Sequence, residues 1–391
     1  LYFLNVRRHC PPYNPEGENN DRNLPYRITF PGTLDEASKP EFATTEKIYR
    51  LVIDDLKSAK TLLPEAYKST MHASYRYGRA NRYAASSLLS KVFFQMGKFD
   101  SALIELNYVI DQGPYELADN PIDNWNKDIL GDESPEVIWY VDWSDPVRGT
   151  GYGPKKYTLI TKNHYPALNG GRGDNWSLCP WNQFTLSESA IAKTGWMQDV
   201  INGDYTETDA ARFDKRYKQV FYRMEGATDD PKADKTKYIT SEHNPVTNVY
   251  RPVIYCDKYF RSSVGMNQHV PMFRIADLLL NRAIILYRAG NIEGALQDIN
   301  AIRERAWDEP AAGAPYTSLT VEELTEEVID AEWIKEMACE GHRIHYLFAL
   351  REDVGPGDRR EDRPNQILEP PYEGYSWRIP QTEIDFREAN Q

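Results

Sequence analysis

The chain has 391 residues and a net charge of −13, from 59 acidic against 46 basic residues. Because binding to nucleic acid or docking on anionic lipid by charge needs a basic surface, this balance argues against both. The content of 41% apolar and 27% charged residues is typical of a globular chain, and no stretch approaches the roughly 18–20 consecutive apolar residues of a membrane span.

The first elements along the chain are predicted from their periodicity. Residues 1–6 resemble the interior of a helix, and residues 11–40 are predicted to be loop because Pro, Gly, Asn and acidic residues dominate them. From Thr44 to Leu63 apolar residues fall on one helix face, and Pro64 ends the run.

Two helix pairs repeat at a constant offset, one over 79–111 and one over about 271–306, with turns at Gly97 and Gly290. Four positions are identical in the two segments: Gly97/Gly290, Ala102/Ala295, Leu103/Leu296 and Asn107/Asn300. Small residues at the helix contact, with larger apolar residues around them, have the spacing of tetratricopeptide units. A further helix is predicted after Thr320, which forms a capping-box pattern with Glu323, and it should continue to Ala338.

The region between the helix pairs, 113–270, is rich in Gly, Pro, Asn, Asp, Tyr and Trp, and short strands are predicted at Val137–Val141 and 248–255. We therefore expect a mostly α chain: one domain over 1–391, with a helical-repeat scaffold at 44–112 and 271–351. The 113–270 segment is then an irregular insertion, and such insertions form the binding face of a solenoid.

Four cysteines are spread along the chain, at Cys10, Cys179, Cys256 and Cys339. They form no CxxC pair, which excludes a zinc ribbon or a thioredoxin-type motif. Two disulfide bonds or four free thiols are both compatible with this number, and the wide spacing favours free thiols.

Several motifs occur in the order found in a known family. They are Arg274–Ala283 (RIADLLLNRA), Ile299–Ala306 (INAIRERA), Glu332–Arg343 (EWIKEMACEGHR) and Arg378–Asp385 (RIPQTEID), preceded by Ile53–Leu56 with Leu63-Pro64. This series resembles the SusD/RagB family of outer-surface lipoproteins over nearly the whole chain. The chain departs from the family in lacking the N-terminal lipidated Cys, and in having Arg282 and Ile284 where Tyr and Glu are usual.

The resemblance implies a non-catalytic role. Family members are tethered by an N-terminal lipid, here not part of the chain, to the extracellular face of the outer membrane. They cover a SusC-type TonB-dependent porin and bind an oligosaccharide on the irregular face, without a cofactor. The composition agrees with a sugar ligand, because 26 Tyr and 9 Trp outnumber 13 Phe and such rings suit surfaces that are both apolar and wet. The same richness in Tyr is also common outside the cytoplasm.

The densest aromatic loop, 170–182, is our predicted ligand platform. Trp176 and Trp181 offer flat faces for stacking on sugar rings, and Gly residues keep the loop irregular. Hydrogen bonds to the sugar hydroxyls are expected from neighbouring polar residues, with Tyr165 as a further aromatic contact: Arg172, Asp174, Asn175 and Asn182. Buried anchoring of one or both Trp side chains is the alternative role.

Other chemistry finds little support. Glu332, Glu336 and Glu340 recur every four residues of a predicted helix, but glycoside hydrolysis needs two carboxyl groups across a cleft. Salt bridges to arginines such as Arg303, Arg343 and Arg351 are the expected use. His342 and His345 lack a metal-binding pattern, and no catalytic motif occurs. An oligopeptide-binding member of the family, a protein–protein scaffold and an unusual glycosidase stay open as alternatives.

Overall fold

A computed structural model describes residues 2–22, 24–38, 41–72, 78–125, 134–141, 186–224, 242–244, 249–251, 253–256, 258, 270–355, 367–372 and 375–376. Up to residue 112 the elements are α1 (Tyr2–His9), β1 (Leu24–Tyr26), α2 (Leu34–Ser38), β2 (Glu41–Ala43), α3 (Thr45–Leu62), α4 (Arg82–Gln95) and α5 (Phe99–Gln112).

The middle of the chain contributes short elements: β3 (Val137–Val141), α6 (Glu188–Thr194), β4 (Met197–Asp199), β5 (Asp204–Glu207), α7 (Asp209–Arg212), α8 (Lys215–Gln219), β6 (Phe221–Met224), β7 (Glu242–Asn244), β8 (Val249–Arg251), β9 (Val253–Cys256) and β10 (Val270–Arg274). The remaining elements are helices: α9 (Ile275–Arg288), α10 (Ile292–Ala306), α11 (Glu309–Ala312), α12 (Glu326–Met337) and α13 (Arg343–Leu350). The fold is mostly helical with short strands, as predicted.

The chain divides into two compact units. The first comprises Leu1–Ala66, Asn81–Val109 and Arg343–Gln391, and the second comprises Tyr67–Ala80 and Ile110–His342. Within the described ranges, no helix combines the length and the apolar character needed to cross a membrane. The predicted single domain over 1–391, with its scaffold and insertion, stays a prediction.

Helix α3 organises the first unit. Its predicted bounds are confirmed, because the Thr44 hydroxyl accepts a hydrogen bond from the Lys47 amide and the helix ends at Leu62, two residues before Pro64. The buried side chains of Ile48 and Val52 lie on its apolar face, and α3 packs against α4. Strand β1 and helix α2 lie in the segment 11–40 that was predicted to be loop throughout, so that prediction was wrong in part.

The helix pair α4/α5 follows the predicted pattern. Asn81 caps α4 by accepting from the Ala84 amide, and Gly97 adopts φ 68° in the turn. Near the end of the chain, α13 adds an aromatic group to the same unit. The Phe348 ring lies 4.4 Å from the Tyr372 ring and 4.5 Å from the Tyr375 ring, between centroids, and Tyr346 stacks on Phe94.

The second helix pair, α9/α10, lies in the second unit. Gly290 adopts φ 83° in its turn, and the Asn291 side chain caps α10 by accepting from the Gly294 amide. Helix α12 packs on α9, and Trp333 and Ile329 are fully buried on it. This apolar packing is the main stabilising term of the pair, since each buried side chain contributes about 1.5–3 kcal/mol.

The start of α12 corrects a prediction. The Thr320 amide does donate to the Glu323 carboxylate at 2.8 Å, as a capping box requires, but this bond closes an isolated turn. The helix begins at Glu326, where the Thr325 hydroxyl accepts from the Val328 amide. Two capping patterns therefore follow each other along the chain. The helix begins at the second one, which precedes the buried residues Ile329 and Trp333.

The predicted irregular region also carries more structure than expected. Strands at Val137–Val141 and in 248–255 are confirmed, as β3 and as β8 with β9. Antiparallel pairs β3–β10, β4–β5, β6–β9 and β7–β8 accompany helices α6 to α8. The region has an apolar core of its own around Trp196, whose ring lies 5.2 Å from Tyr217 and 5.4 Å from Phe221, between centroids. The elements that were not predicted, such as helices α6 to α8, are each too short to show a periodicity in the sequence.

Candidate functional site

The predicted ligand residues Arg172, Asp174, Asn175, Trp176, Trp181, Asn182 and Tyr165 lie outside the described residues, as does the motif at 378–385. Their role stays a prediction. What the structure describes is the framework on either side of them along the chain. Strand β3 ends at Val141, and α6 begins at Glu188.

Strand β3 is fixed on two sides. It pairs with β10 in antiparallel register, with Val270 opposite Val141 and Phe273 opposite Trp139. The Trp139 ring stacks on the Phe273 ring with centroids 5.8 Å apart, and its Nε1 donates to the Gly78 carbonyl at 2.8 Å. A strand held in this way gives a rigid start to the chain that follows it.

Helix α6 is fixed as firmly. The Ser187 hydroxyl accepts from the Ala190 amide at its start, and Gly195 ends it with φ 67°. Its Ile191 side chain belongs to the apolar core around Trp196, which is fully buried. Removing a buried Trp or Phe from such a core costs about 3–5 kcal/mol, so the packing of α6 on this core is stable.

A network of mostly buried ion pairs lies in the second unit, and we call it the charged hub. Its carboxylates are Glu136, Asp214, Glu332, Glu336 and Glu340, and its cations are Arg216, Lys258, Arg274, Arg303, Arg305 and Lys335. These residues come from the segment before β3, from around α8, from just after β9, from β10 and α10, and from α12 and the turn that follows it. The charged hub therefore joins elements that lie far apart along the chain.

Glu336 and Glu136 form the centre of the charged hub. Arg274 Nη1 donates to Glu336 Oε1 at 2.6 Å and to Glu136 Oε1 at 2.7 Å. Arg305 joins the same two carboxylates, with Nη2 at 2.7 Å from Glu336 Oε1 and Nη1 at 2.9 Å from Glu136 Oε2. Such charge-assisted bonds offset the cost of burying these groups.

Arg216 binds the opposite side of Glu336. Its Nη1 lies 3.4 Å from Glu336 Oε2, its Nη2 donates to Glu332 Oε2 at 2.8 Å, and its Nε donates to Asp214 Oδ1 at 3.0 Å. The Asp214 carboxylate also accepts from Trp196 Nε1 at 3.3 Å. The charged hub is thus continuous with the apolar core around Trp196.

Lys258 and Glu340 form the remaining edge of the charged hub. Lys258 Nζ donates to the carbonyls of Glu336 and Ala338 at 2.7 and 2.9 Å and to Glu340 Oε1 at 2.8 Å. Arg274 Nη2 donates to the same Glu340 oxygen at 2.7 Å. The C-terminal carbonyls of α12 are satisfied by this ammonium group, as a helix end requires.

The electrostatics follow from this geometry. Burial alone would raise the pKa of Glu336, but the charges of Arg305, Arg274 and Arg216 lower it well below its ordinary value. Burial opposes ionisation of Glu332 and Glu340 as well, and neighbouring cations again lower the pKa of both. Burial works against the charge of Arg274, yet the three glutamates around it raise its pKa well above the usual range. Glu332, Glu336, Glu340 and Arg274 are therefore all charged at neutral pH.

The arrangement decides what Glu332, Glu336 and Glu340 do. They accept bonds from cations, as predicted, and Arg303 is one of the partners, with Nη1 at 2.6 Å from Glu332 Oε1. The prediction that all three share one helix face was wrong, because α12 ends at Met337 and Cys339 adopts φ 67°. Within the described residues, no three His, Cys, Asp or Glu side chains come together to hold a metal ion.

Comparison with known proteins identifies the family of the chain. Residues 135–347 match the family model described as the SusD family. The chain belongs to the SusD family. The resemblance of its motifs is confirmed, and every residue of the charged hub, from Glu136 to Glu340, lies inside the matched range. The hub is thus part of the segment that the SusD model covers.

Individual relatives agree with this membership. A SusD-like protein of Formosa agariphila is 26% identical over 148 residues, which is 38% of this chain and 26% of that protein. A SusD superfamily protein from Bacteroides thetaiotaomicron shares the fold at a TM-score of 0.69 and 20% identity, with 98% of this chain and 73% of that one covered. A SusD-like carbohydrate binding protein from Bacteroides fragilis gives a TM-score of 0.61 at 20% identity, over 98% and 76% of the two chains.

Sequence reasoning missed several members of this SusD framework. Glu136 and Arg216 stand alone in the sequence, without a pattern around them. Arg274 offered one signal: it directly precedes the apolar helix of a recognised motif, yet its side chain is only 2% exposed. A charge at the start of a largely apolar helix indicates a buried ion pair, because an unpaired charge is not tolerated there.

Proposed function

We propose that this SusD-family chain binds an oligosaccharide or polysaccharide at the cell surface and delivers it to a SusC-type TonB-dependent porin, without catalysis. The observation that carries the proposal is family membership, which is supported by a fold likeness over 98% of the chain to a protein described as SusD-like carbohydrate binding. An outer-membrane location on the extracellular face, through a lipid anchor, belongs to the same proposal and has the motif resemblance as its support.

The proposed ligand platform is the predicted loop with Trp176 and Trp181. Two indole rings can stack on the C–H faces of sugar rings, while the sugar hydroxyls bind polar groups beside them. Those groups, with one further aromatic ring, are Arg172, Asp174, Asn175, Asn182 and Tyr165. The rigid elements on either side, β3 and α6, support this choice, since binding loops work best on a fixed framework.

The charged hub does not supply the carboxyl pair that a glycosidase needs. A retaining or inverting glycosidase needs one carboxylic acid with a raised pKa and a second carboxylate facing it across a cleft. Here Glu332, Glu336 and Glu340 have lowered pKa values and accept bonds from arginine and lysine. These three groups are therefore held as structural anions.

The test is binding to a glycan panel by calorimetry and affinity electrophoresis, for the chain and two variants, Trp176→Ala and Trp181→Ala. Losing a central aromatic contact costs about 2 kcal/mol or more, so we expect affinity to fall at least about tenfold in each variant. Phe30→Ala is the matched control, because Phe30 is 95% exposed, is equally aromatic and lies outside the proposed platform.

Two outcomes would change the proposal. Unchanged glycan affinity in both Trp variants would remove the loop from the site while leaving the family role intact. Failure to bind any polysaccharide, together with tight binding of oligopeptides, would favour the alternative, an oligopeptide-binding lid protein of the same family.

A further inference from the structure

Two of the widely spaced cysteines come together in the second unit. Cys256 is the last residue of β9, and Cys339 lies two residues beyond the end of α12. Both belong to the apolar core around Trp196, where Cys256 is 1% exposed and Cys339 is half-buried. The Cys256 thiol donates a hydrogen bond to the sulfur of Cys339.

This juxtaposition is held by contacts other than the thiols. The β6–β9 pairing places Cys256 opposite Phe221, and the charged hub fixes α12. Lys258, two residues after Cys256, donates to the Ala338 carbonyl immediately before Cys339 and to the carboxylate of Glu340 immediately after it. Lys258 therefore joins the two segments that carry the thiols, through bonds on both sides of Cys339.

The backbone at Cys339 is unusual. Its φ of 67° lies in the left-handed region, which a side chain other than Gly, Asn or Asp seldom adopts. Such strain persists where surrounding contacts determine the conformation, and it often marks a residue with a specific use. Here the conformation follows directly on the end of α12, in the turn that brings Cys339 to β9.

The two thiols also differ in acidity. Burial raises the pKa of Cys256, which keeps it protonated. The hydrogen bond from Cys256 lowers the pKa of Cys339, and the nearby ammonium of Lys258 acts in the same direction. Cys339 is the more exposed of the two and the first to form a thiolate, which is the reactive form.

We infer that Cys256 and Cys339 are a redox-modification site, at which a disulfide bond joins β9 to the end of α12. The oxidant is a small-molecule disulfide such as oxidised glutathione, or a thiol–disulfide exchange protein. This inference does not depend on the proposed ligand, and it revises the expectation of four free thiols for this one pair.

The reaction balances as two exchanges. The Cys339 thiolate attacks one sulfur of oxidised glutathione, forming a mixed disulfide and releasing one glutathione thiolate. Cys256 then loses its proton and attacks the Cys339 sulfur, which forms the intramolecular bond and releases the second glutathione. The protein pair loses two electrons and two protons, and one glutathione disulfide becomes two glutathione thiols.

The bond should stabilise the second unit. It closes a long chain loop, and a cross-link of that kind lowers the entropy of the unfolded state. An extracytoplasmic protein meets oxidising conditions in which such a bond persists. We expect the oxidised chain to melt roughly 5–10 °C above the reduced chain.

The experiment is refolding of the full chain with and without a mixture of reduced and oxidised glutathione, followed by alkylation and peptide mapping by mass spectrometry. We expect one peptide pair linked through Cys256 and Cys339, and its loss on reduction. Cys339→Ser should abolish the linked peptide and the difference in Tm between oxidising and reducing conditions. Cys10→Ser is the control, because Cys10 is as buried as Cys256 and lies in the other unit.

Either of two results would overturn the inference. In the first, Cys256 and Cys339 are both alkylated as free thiols after oxidative refolding. In the second, Cys256 is linked to Cys10 or Cys179 instead. If a Ser variant fails to fold, peptide mapping of the unmodified sequence still decides the question, because it needs no substitution.

Discussion

The two helix pairs, α4/α5 in the first unit and α9/α10 in the second, share their apolar positions and differ in their charged ones. Equivalent residues on the second helix of each pair are buried alike: Ala102/Ala295, Leu106/Ile299 and Val109/Ile302. One equivalent position holds a buried acid in both, Glu105 in α5 and Asp298 in α10. The apolar pattern thus determines the packing, and it leaves open how the acid is neutralised.

The two helix pairs neutralise this buried acid in different ways. Glu105 accepts from Lys60 Nζ on α3 and from the Ser86 hydroxyl on α4, both at 2.6 Å. Asp298 is bound by the guanidinium of Arg282 on α9, with Nε at 2.8 Å and Nη2 at 2.7 Å. The second pair also carries Arg305 of the charged hub on the same helix. One repeat therefore makes a local ion pair, while the other adds a network that joins several elements.

The largest expected effect comes from breaking that network. In Glu336→Gln, the charges of Arg216, Arg274 and Arg305 lose the carboxylate that binds all three. Removing one partner of a buried ion pair costs about 3–5 kcal/mol, so the free energy of unfolding in urea should fall by that amount. Glu304→Gln, on the exposed side of α10, is the control and should change stability by less than about 0.5 kcal/mol. A loss below about 1 kcal/mol for Glu336→Gln would mean that solvent reaches the hub.

An acid titration should show the same contrast with a smaller effect. The pKa values of Glu332, Glu336 and Glu340 are lowered in the folded chain, so on acidification the unfolded chain takes up protons first. Their contribution is complete well above the unfolded pKa of about 4.3 and is lost as pH falls below about 5. At pH 4 the loss is about 0.6 kcal/mol for each glutamate and about 2 kcal/mol for the three.

The measurement is the urea unfolding free energy at pH 7, 5 and 4. Asp298 works in the opposite direction, because burial raises its pKa and the folded chain then retains a proton there more readily. Glu336→Gln is therefore the useful comparison, since it keeps Asp298 and removes one hub carboxylate. Its loss between pH 7 and pH 4 should be smaller than that of the unmodified chain, and an equal loss would place the acid sensitivity elsewhere.

How much the sequence predicts differs between these regions. The helix pairs were predicted with close bounds because each repeats an apolar residue every three or four positions over more than three turns. The charged hub was predicted only at Glu332, Glu336, Glu340 and Arg303. Its other members, such as Glu136, Arg216 and Arg274, come from segments far apart along the chain, and no local pattern connects an isolated charge to a distant partner.

The candidate site shows the same limit. The loop with Trp176 and Trp181 was singled out from composition, and composition does not say which rings are exposed. The contact of Cys256 with Cys339 has no sequence signal either, since it depends on β9 pairing with β6 and on α12 ending at Met337. Short strands and helix ends are set by tertiary contacts, which periodicity does not contain.

The smallest expected effect is the difference in stability loss between substitutions of the two buried acids, Asp298 and Glu105. Asp298→Asn removes the charge that binds Arg282, whose side chain is only 14% exposed and which also binds Asp111 at 2.8 Å. Glu105→Gln affects Lys60, which is 24% exposed and whose longer, flexible side chain can place its ammonium in water. We expect losses in unfolding free energy of about 1–2 kcal/mol for Asp298→Asn and at most about 1 kcal/mol for Glu105→Gln. The reverse order would indicate that the Ser86 hydrogen bond to Glu105, rather than the cation, determines how costly the acid is to replace.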